Sequence, residues 1–234
     1  MEDSLSSRKG ILKYLIVIYF AISLTEVLAE FFAYKPLIVG LKPLMPLTLM
    51  IVYFFSSSVR SSLFFLAMLF SAITNVLFIP DTPESLYLAL IIFTFHRVFV
   101  LALMIRLLKM RDWVPPLIGA VPFLLIFFYM LFNSEFPQDT FWILCIQNVL
   151  ISVLAGLALS NYIMVDNRQN SWLLICGLLF VALQVIVFIE KYYLAYLSPV
   201  ILRPIAMGLN AFAFYTFYEF VISTEKSDND GAAA

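Results

Sequence analysis

Charge is scarce in this sequence: 12% of its 234 residues are charged and 63% are hydrophobic, where a soluble domain carries roughly a quarter charged residues. A water-soluble core cannot absorb that much apolar surface, and a mean hydropathy of +1.00 excludes an ordinary soluble fold. The few basic residues are scattered, with a net charge of -1, so there is no stripe to hold nucleic acid. The two cysteines, Cys145 and Cys176, lie inside apolar runs without a C-x-x-C. They read as buried small hydrophobes, not as a disulfide or redox pair. His96 is the single histidine, and no cluster of ligand-type residues implies a metal or another cofactor. No connection is long enough to be a soluble domain, and no internal repeat marks a transporter built from two halves.

What is present is a series of long apolar runs. In hydrocarbon every backbone N–H and C=O needs a partner within the protein, and continuous runs of this length select helices. The predicted fold is all-α, a polytopic membrane bundle of about eight transmembrane helices. The spans are 11–34, 37–55, 61–79, 85–108, 114–132, 141–164, 171–193 and 202–223, separated by breakers such as Pro80 to Pro83, Pro115-Pro116 and Ser198-Pro199. The first run follows Arg8 and Lys9 like a secretory leader, but it is too long for one and holds Glu26 and Glu30. It reads as a retained helix. The second span, crowded by Pro36, Gly40, Pro43 and Pro46, is expected to enter as irregular or kinked backbone. Residues 1–10 form an N-terminal segment, 11–223 a single membrane domain and 224–234 a disordered tail.

Lys and Arg accumulate on cytoplasmic flanks. Arg8, Lys9, Lys13, Arg60, Arg106, Lys109, Arg111, Arg168 and Lys226 fall on one side if the N-terminus is inside. Lys35, Lys42, Lys191 and Arg203 fall on the other. Both termini are therefore expected in the cytoplasm, in a multi-pass protein of the plasma membrane if its source is bacterial.

Function is sought where polar residues recur inside the spans, because each is costly there and must face inward. Ser23, Glu26 and Glu30 share one face of the first helix; Ser71, Thr74 and Asn75 share one face of the third. Gln147, Asn148, Ser152, Gln184, Asn210, Tyr215, Tyr218 and Glu219, with Lys42, His96 and Arg97, complete the set expected to line one cavity. Arg97 needs a partner within the membrane, and Glu26 is the nearest carboxyl by depth; a Glu26–Arg97 or Glu26–Lys42 pair is the expectation. Glu30, Lys35, Lys191 and Arg203 lie near span ends, where long side chains snorkel to the interface. Asn75, Asn148 and Gln184 are equally suited to holding helices together by hydrogen bonds.

Several of these residues fall in motifs. The run Lys42-Pro43-Leu44-Met45-Pro46-Leu47 resembles the Lys-Pro-Leu signature that opens the second helix of lysoplasmalogenases, the YhhN-like family of eight-helix membrane hydrolases. Phe70 to Asn75 is similar to that family's Phe-Ser-x-x-Gly-Asp segment, and Phe95-His96 to its Phe-x-x-x-His segment. Gly177 to Glu190 resembles the seventh-helix pattern Gly-x-x-x-Phe-x-x-Ser-Asp, and Tyr215 to Ile222 the terminal Thr-Tyr-Tyr-x-x-Gln-x-Leu-Ile. The resemblance implies hydrolysis of the vinyl-ether bond of lysoplasmalogen, releasing a fatty aldehyde, with two Asp carboxyls as acid and base and His96 as a further catalytic residue. Asn75 and Gln184 stand at those two positions, and an amide at neutral pH neither donates nor takes up the proton.

Three readings follow. One is a diverged member that holds a lysolipid or similar amphiphile, through Glu26, Lys42, Arg97, Asn148, Tyr215, Tyr218 and Glu219, without the chemistry. Another is an active hydrolase in which Glu26, Glu30, Glu219 or His96 transfers the proton. The third is a small transporter or sensory module. The partner expected is a membrane lipid or lysolipid, with no soluble protein implied and the oligomeric state left open.

Overall fold

The computed structural model describes residues 2–108, 110, 112–193 and 201–232. Lys109, Arg111 and the Ser198-Pro199 connection lie outside the described residues. Among the described residues there are eight α-helices and no strand: α1 Glu2–Phe31, α2 Lys35–Ser56, α3 Ser62–Leu77, α4 Pro83–Leu108, α5 Val114–Phe132, α6 Phe141–Met164, α7 Arg168–Phe188 and α8 Leu202–Ala232. A 3-10 turn, Gln138–Thr140, leads into α6, and a π-helical turn, Ile189–Tyr193, follows α7. Seven of the helices are long and apolar enough to cross a membrane. The exception is α3, with 16 residues, about 24 Å of helix. The chain is a multi-pass integral membrane protein, as its composition implies.

Helices adjacent in sequence mostly pack together, which is what the short connections impose. The helix α1 lies against α2, α2 against α3 and α3 against α4; α4 meets α6, and the ring closes through α7 and α8 back to α1. Outside the ring, α5 lies on α6. Their backbones touch: a Cβ on Gly156 would stand 2.3 Å from the Pro116 carbonyl oxygen, so only glycine permits this approach. Besides closing the ring, α8 reaches α2 and α4, and Phe214, Phe217 and Phe220 are fully buried on it. Val17, Leu24, Ile118, Leu125 and Ile163 point outward and are exposed, a surface suited to lipid and not to water.

The irregular entry expected for α2 is not what forms. The helix is continuous from Lys35 to Ser56, with Pro36 in its first turn and Pro43 and Pro46 inside it. A proline in the first turn removes an N–H that has no helical partner anyway. Further in, Pro46 leaves the Lys42 carbonyl without its usual donor, and the Asn75 side-chain amide takes that place at 2.8 Å. The break is repaired from the neighbouring helix. At the other end of the chain α8 runs past Ser223, and Thr224 and Glu225 are buried.

Candidate functional site

A cavity of about 350 Å³ opens among α1 to α4 and α6 to α8, at the end of the bundle where α1, α3 and α7 finish and α2, α4 and α8 begin. Its lining changes character with depth. Leu86, Leu90, Phe93, Leu183, Val187 and Met207 give it an apolar wall. Polar groups meet it from three directions: Arg97, half way along α4, with Gln147 of α6 and Gln184 of α7, then Ser71, Thr74 and Asn75 from α3, and Glu30 with Lys42 from the α1–α2 hairpin.

Arg97 is 4% exposed. Its Nη1 donates to the Gln147 carbonyl at 3.1 Å and its Nη2 to Gln184 Oε1, while its guanidinium carbon stands 4.5 Å from the centre of the Phe93 ring. Gln184 in turn donates to Asn148 Oδ1 at 3.4 Å, and Gln147 Nε2 donates to the Leu90 carbonyl at 2.9 Å. The guanidinium is therefore held by amides and a ring, and no carboxylate pairs with it among the described residues. Lys42 Nζ pairs with Glu30 Oε1 at 2.6 Å.

The mouth carries the charges placed near span ends. Asp81, at φ 55° in the α3–α4 turn, accepts from Lys191 at 2.7 Å and from Arg203 at 2.6 Å, and Arg203 also donates to Glu190 at 2.7 Å. Partial burial would raise the Asp81 carboxyl, but the bonds from Lys191 and Arg203 outweigh it and hold the group down at about 2. A depressed carboxylate adds stability above its ordinary range, and that contribution is lost as pH falls through the folded value. Asp81 is partly exposed, so screening reduces it. Asp81→Asn is therefore expected to cost about 1 kcal/mol at pH 7 and to leave the unfolding midpoint unchanged near pH 2, as thermal unfolding in detergent would record.

The expected residues divide accordingly. Asn75, Gln184, Arg97 and Lys42 line one cavity. Asn148 does not line it but supports Gln184 from behind. His96, expected as a catalytic residue, is 1% exposed, hydrogen-bonded to the Ala67 carbonyl at 2.7 Å and surrounded by Phe93, Phe180 and Phe214. It faces the packed core instead. Tyr215, Tyr218 and Glu219 lie farther along α8 than the cavity residues Ala206, Met207 and Asn210. There Tyr215 donates to Glu219 at 2.8 Å and stacks with Tyr19.

The Glu26 pairings do not form. Lys42 reaches Glu30, one turn nearer the start of α2, while Arg97 comes from α4, which packs on α3, α6 and α8. Glu26 is fully buried without a hydrogen-bond partner and does not line the cavity. Snorkelling is likewise replaced by pairing at Glu30, Lys191 and Arg203. For Glu30 the missed signal lay in the hairpin: a short turn after Phe31 sets the end of α1 against the first turns of α2, opposite Lys42.

A family model described as the YhhN family matches residues 37–220. No curated protein and no solved structure matches the chain.

Proposed function

The chain belongs to the YhhN family, the family of lysoplasmalogenases, and from that premise we propose that it binds a single-chain amphiphile with an anionic polar end, a lysolipid, in the cavity of the bundle. The observation that carries this reading is Arg97, a buried cation that lines the cavity beside its apolar wall and, among the described residues, is held only by neutral groups. Such a guanidinium offers its remaining donors and its charge to a phosphate, and the apolar wall covers the chain of the same molecule.

The two amides favour a binding role over acid–base work at their own positions. Asn75 donates to the carbonyl that Pro46 leaves open, and Gln184 accepts from Arg97 while donating to Asn148. Both are engaged in holding the cavity's walls. A carboxylate at position 75 would face the Lys42 carbonyl with no proton to give it.

Titration of the purified protein with a lysophospholipid, followed by intrinsic tryptophan fluorescence, is expected to saturate at one molecule per chain. A single-chain alcohol of equal length is expected to bind more weakly by about tenfold or more, the worth of a charge-assisted hydrogen bond. Equal affinity for the two would remove Arg97 from the explanation.

A further inference from the structure

The binding reading leaves three ionisable groups unused at the α1–α2 hairpin. Glu26 and Glu30 stand one helical turn apart on the same face of α1, and Lys42 faces them from α2. Lys42 and Glu30 are joined at 2.6 Å and line the cavity. Glu26 lies deeper, 0% exposed, with neither carboxyl oxygen hydrogen-bonded. It is within electrostatic reach of Lys42, Glu30 and Tyr19. On the α8 side, Tyr215 and Glu219 are bonded to each other. Two carboxyls thus share one ammonium in apolar surroundings, which cannot hold an unbalanced charge cheaply. An apolar site with two carboxyls and one ammonium is balanced by a single proton held between the carboxyls.

We propose that Glu26, Glu30 and Lys42 form a proton-loading device for the cavity. With Lys42 on Glu30, as in the structure, the proton waits on Glu26. When the flexible four-carbon stem of Lys42 turns its ammonium to Glu26, that carboxyl gives its proton to the Glu30 carboxylate, and Glu30 faces the cavity as a carboxylic acid. Asn75 anchors the base of the stem through the Lys42 carbonyl. The acid that positions 75 and 184 do not supply is thereby delivered from α1, a helix outside the matched residues 37–220.

Resting on the lysolipid reading, the device supplies an acid for the reaction of the lysoplasmalogenase family. Glu30 donates its proton to the carbon of a vinyl ether one bond removed from the ether-bearing carbon, which leaves an oxocarbenium ion. Water adds to that ion and returns a proton to Glu30. The hemiacetal then breaks its C–O bond to give an aldehyde and an alcohol. One water is consumed, and nothing is oxidised or reduced.

Infrared spectroscopy of the full chain in lipid bilayers tests the device without turnover. The wild type is expected to show the C=O stretch of a protonated carboxyl at neutral pH. Both Glu26→Gln and Glu30→Gln should lose it, since either leaves one carboxylate balanced by Lys42, and Lys42→Met should strengthen it. A band that persists in Glu30→Gln would mark Glu26 as an independent buried acid and overturn the proposal. With lysoplasmalogen as substrate, the wild type is expected to release aldehyde. Glu26→Gln and Glu30→Gln should each lose about tenfold or more, while Glu26→Gln binds lysophospholipid within about twofold of wild type, an effect of general acid catalysis and not of affinity. A wild type that binds lysophospholipid but releases no aldehyde overturns the chemistry and leaves the binding reading standing. Failure to bind at all removes the binding reading, and the infrared result then decides the device alone.

Discussion

Arg97→Met is expected to weaken lysophospholipid binding about tenfold or more while changing the stability of the bundle by no more than about 1 kcal/mol. The two effects differ because different partners are lost. A guanidinium at the centre of a membrane helix costs roughly 2.5 to 3.5 kcal/mol on insertion scales, and here only Gln184, the Gln147 carbonyl and the Phe93 ring offset that cost. Methionine fills much of the same volume without the charge. It removes the hydrogen bonds and leaves Gln184 Oε1 short of a donor, a loss of about 1 to 3 kcal/mol that the relief of desolvation approximately cancels. The Gln147 carbonyl keeps its place in the α6 ladder. The bound anion has no such compensation, since a hydrogen bond to a charged group is worth about 1.5 to 3 kcal/mol. Thermal unfolding and lysophospholipid titration of one detergent preparation give both numbers. If stability instead fell by about 3 to 5 kcal/mol, as when a buried charge pair is broken, Arg97 would be a brace between α4, α6 and α7, and the cavity would lose its anion-binding group.

Composition and run length were enough for the all-α bundle, because hydrocarbon permits few alternatives. The depth of Asn75, Gln184 and Arg97 was legible for the same reason: polar side chains in long apolar runs must turn inward, and these three meet at one cavity. Partner choice was not legible. Depth alone paired Glu26 with Arg97, but the ring order puts α4 against α3, α6 and α8, and the hairpin gives Lys42 to Glu30. Nor does a sequence show that Pro46 frees one carbonyl which Asn75, 29 positions later, is placed to satisfy. That is a relation between two helices in contact. Tyr215, Tyr218 and Glu219 were misplaced because polarity along α8 indicates an inward face without saying at which depth the cavity ends.

The far end of α8 carries the largest expected loss of stability. Glu225 is 5% exposed and accepts from Tyr53 Oη and from Ser57 Oγ, each at 2.6 Å. Tyr53 Oη accepts in turn from the Ser61 N–H at 2.9 Å, and Ser57 Oγ from the N–H groups of Val59 and Arg60 at 3.1 and 2.9 Å. Arg60 holds φ 50°, so the α2–α3 turn depends on these side chains to fix a backbone conformation that a residue with a Cβ rarely adopts. One carboxylate therefore ties the turn to the helix that closes the ring. Glu225→Ala is expected to cost about 3 to 5 kcal/mol, because it strands the buried Tyr53 hydroxyl and releases the turn together. Glu225→Gln keeps one acceptor and should lose about half as much. Truncation after Thr224 should cost at least as much as the alanine variant, since it removes the same carboxylate together with the last turns of α8. Thermal midpoints of the three proteins in one detergent separate these cases. A truncated chain as stable as the wild type would show that α8 is held by its aromatic face alone.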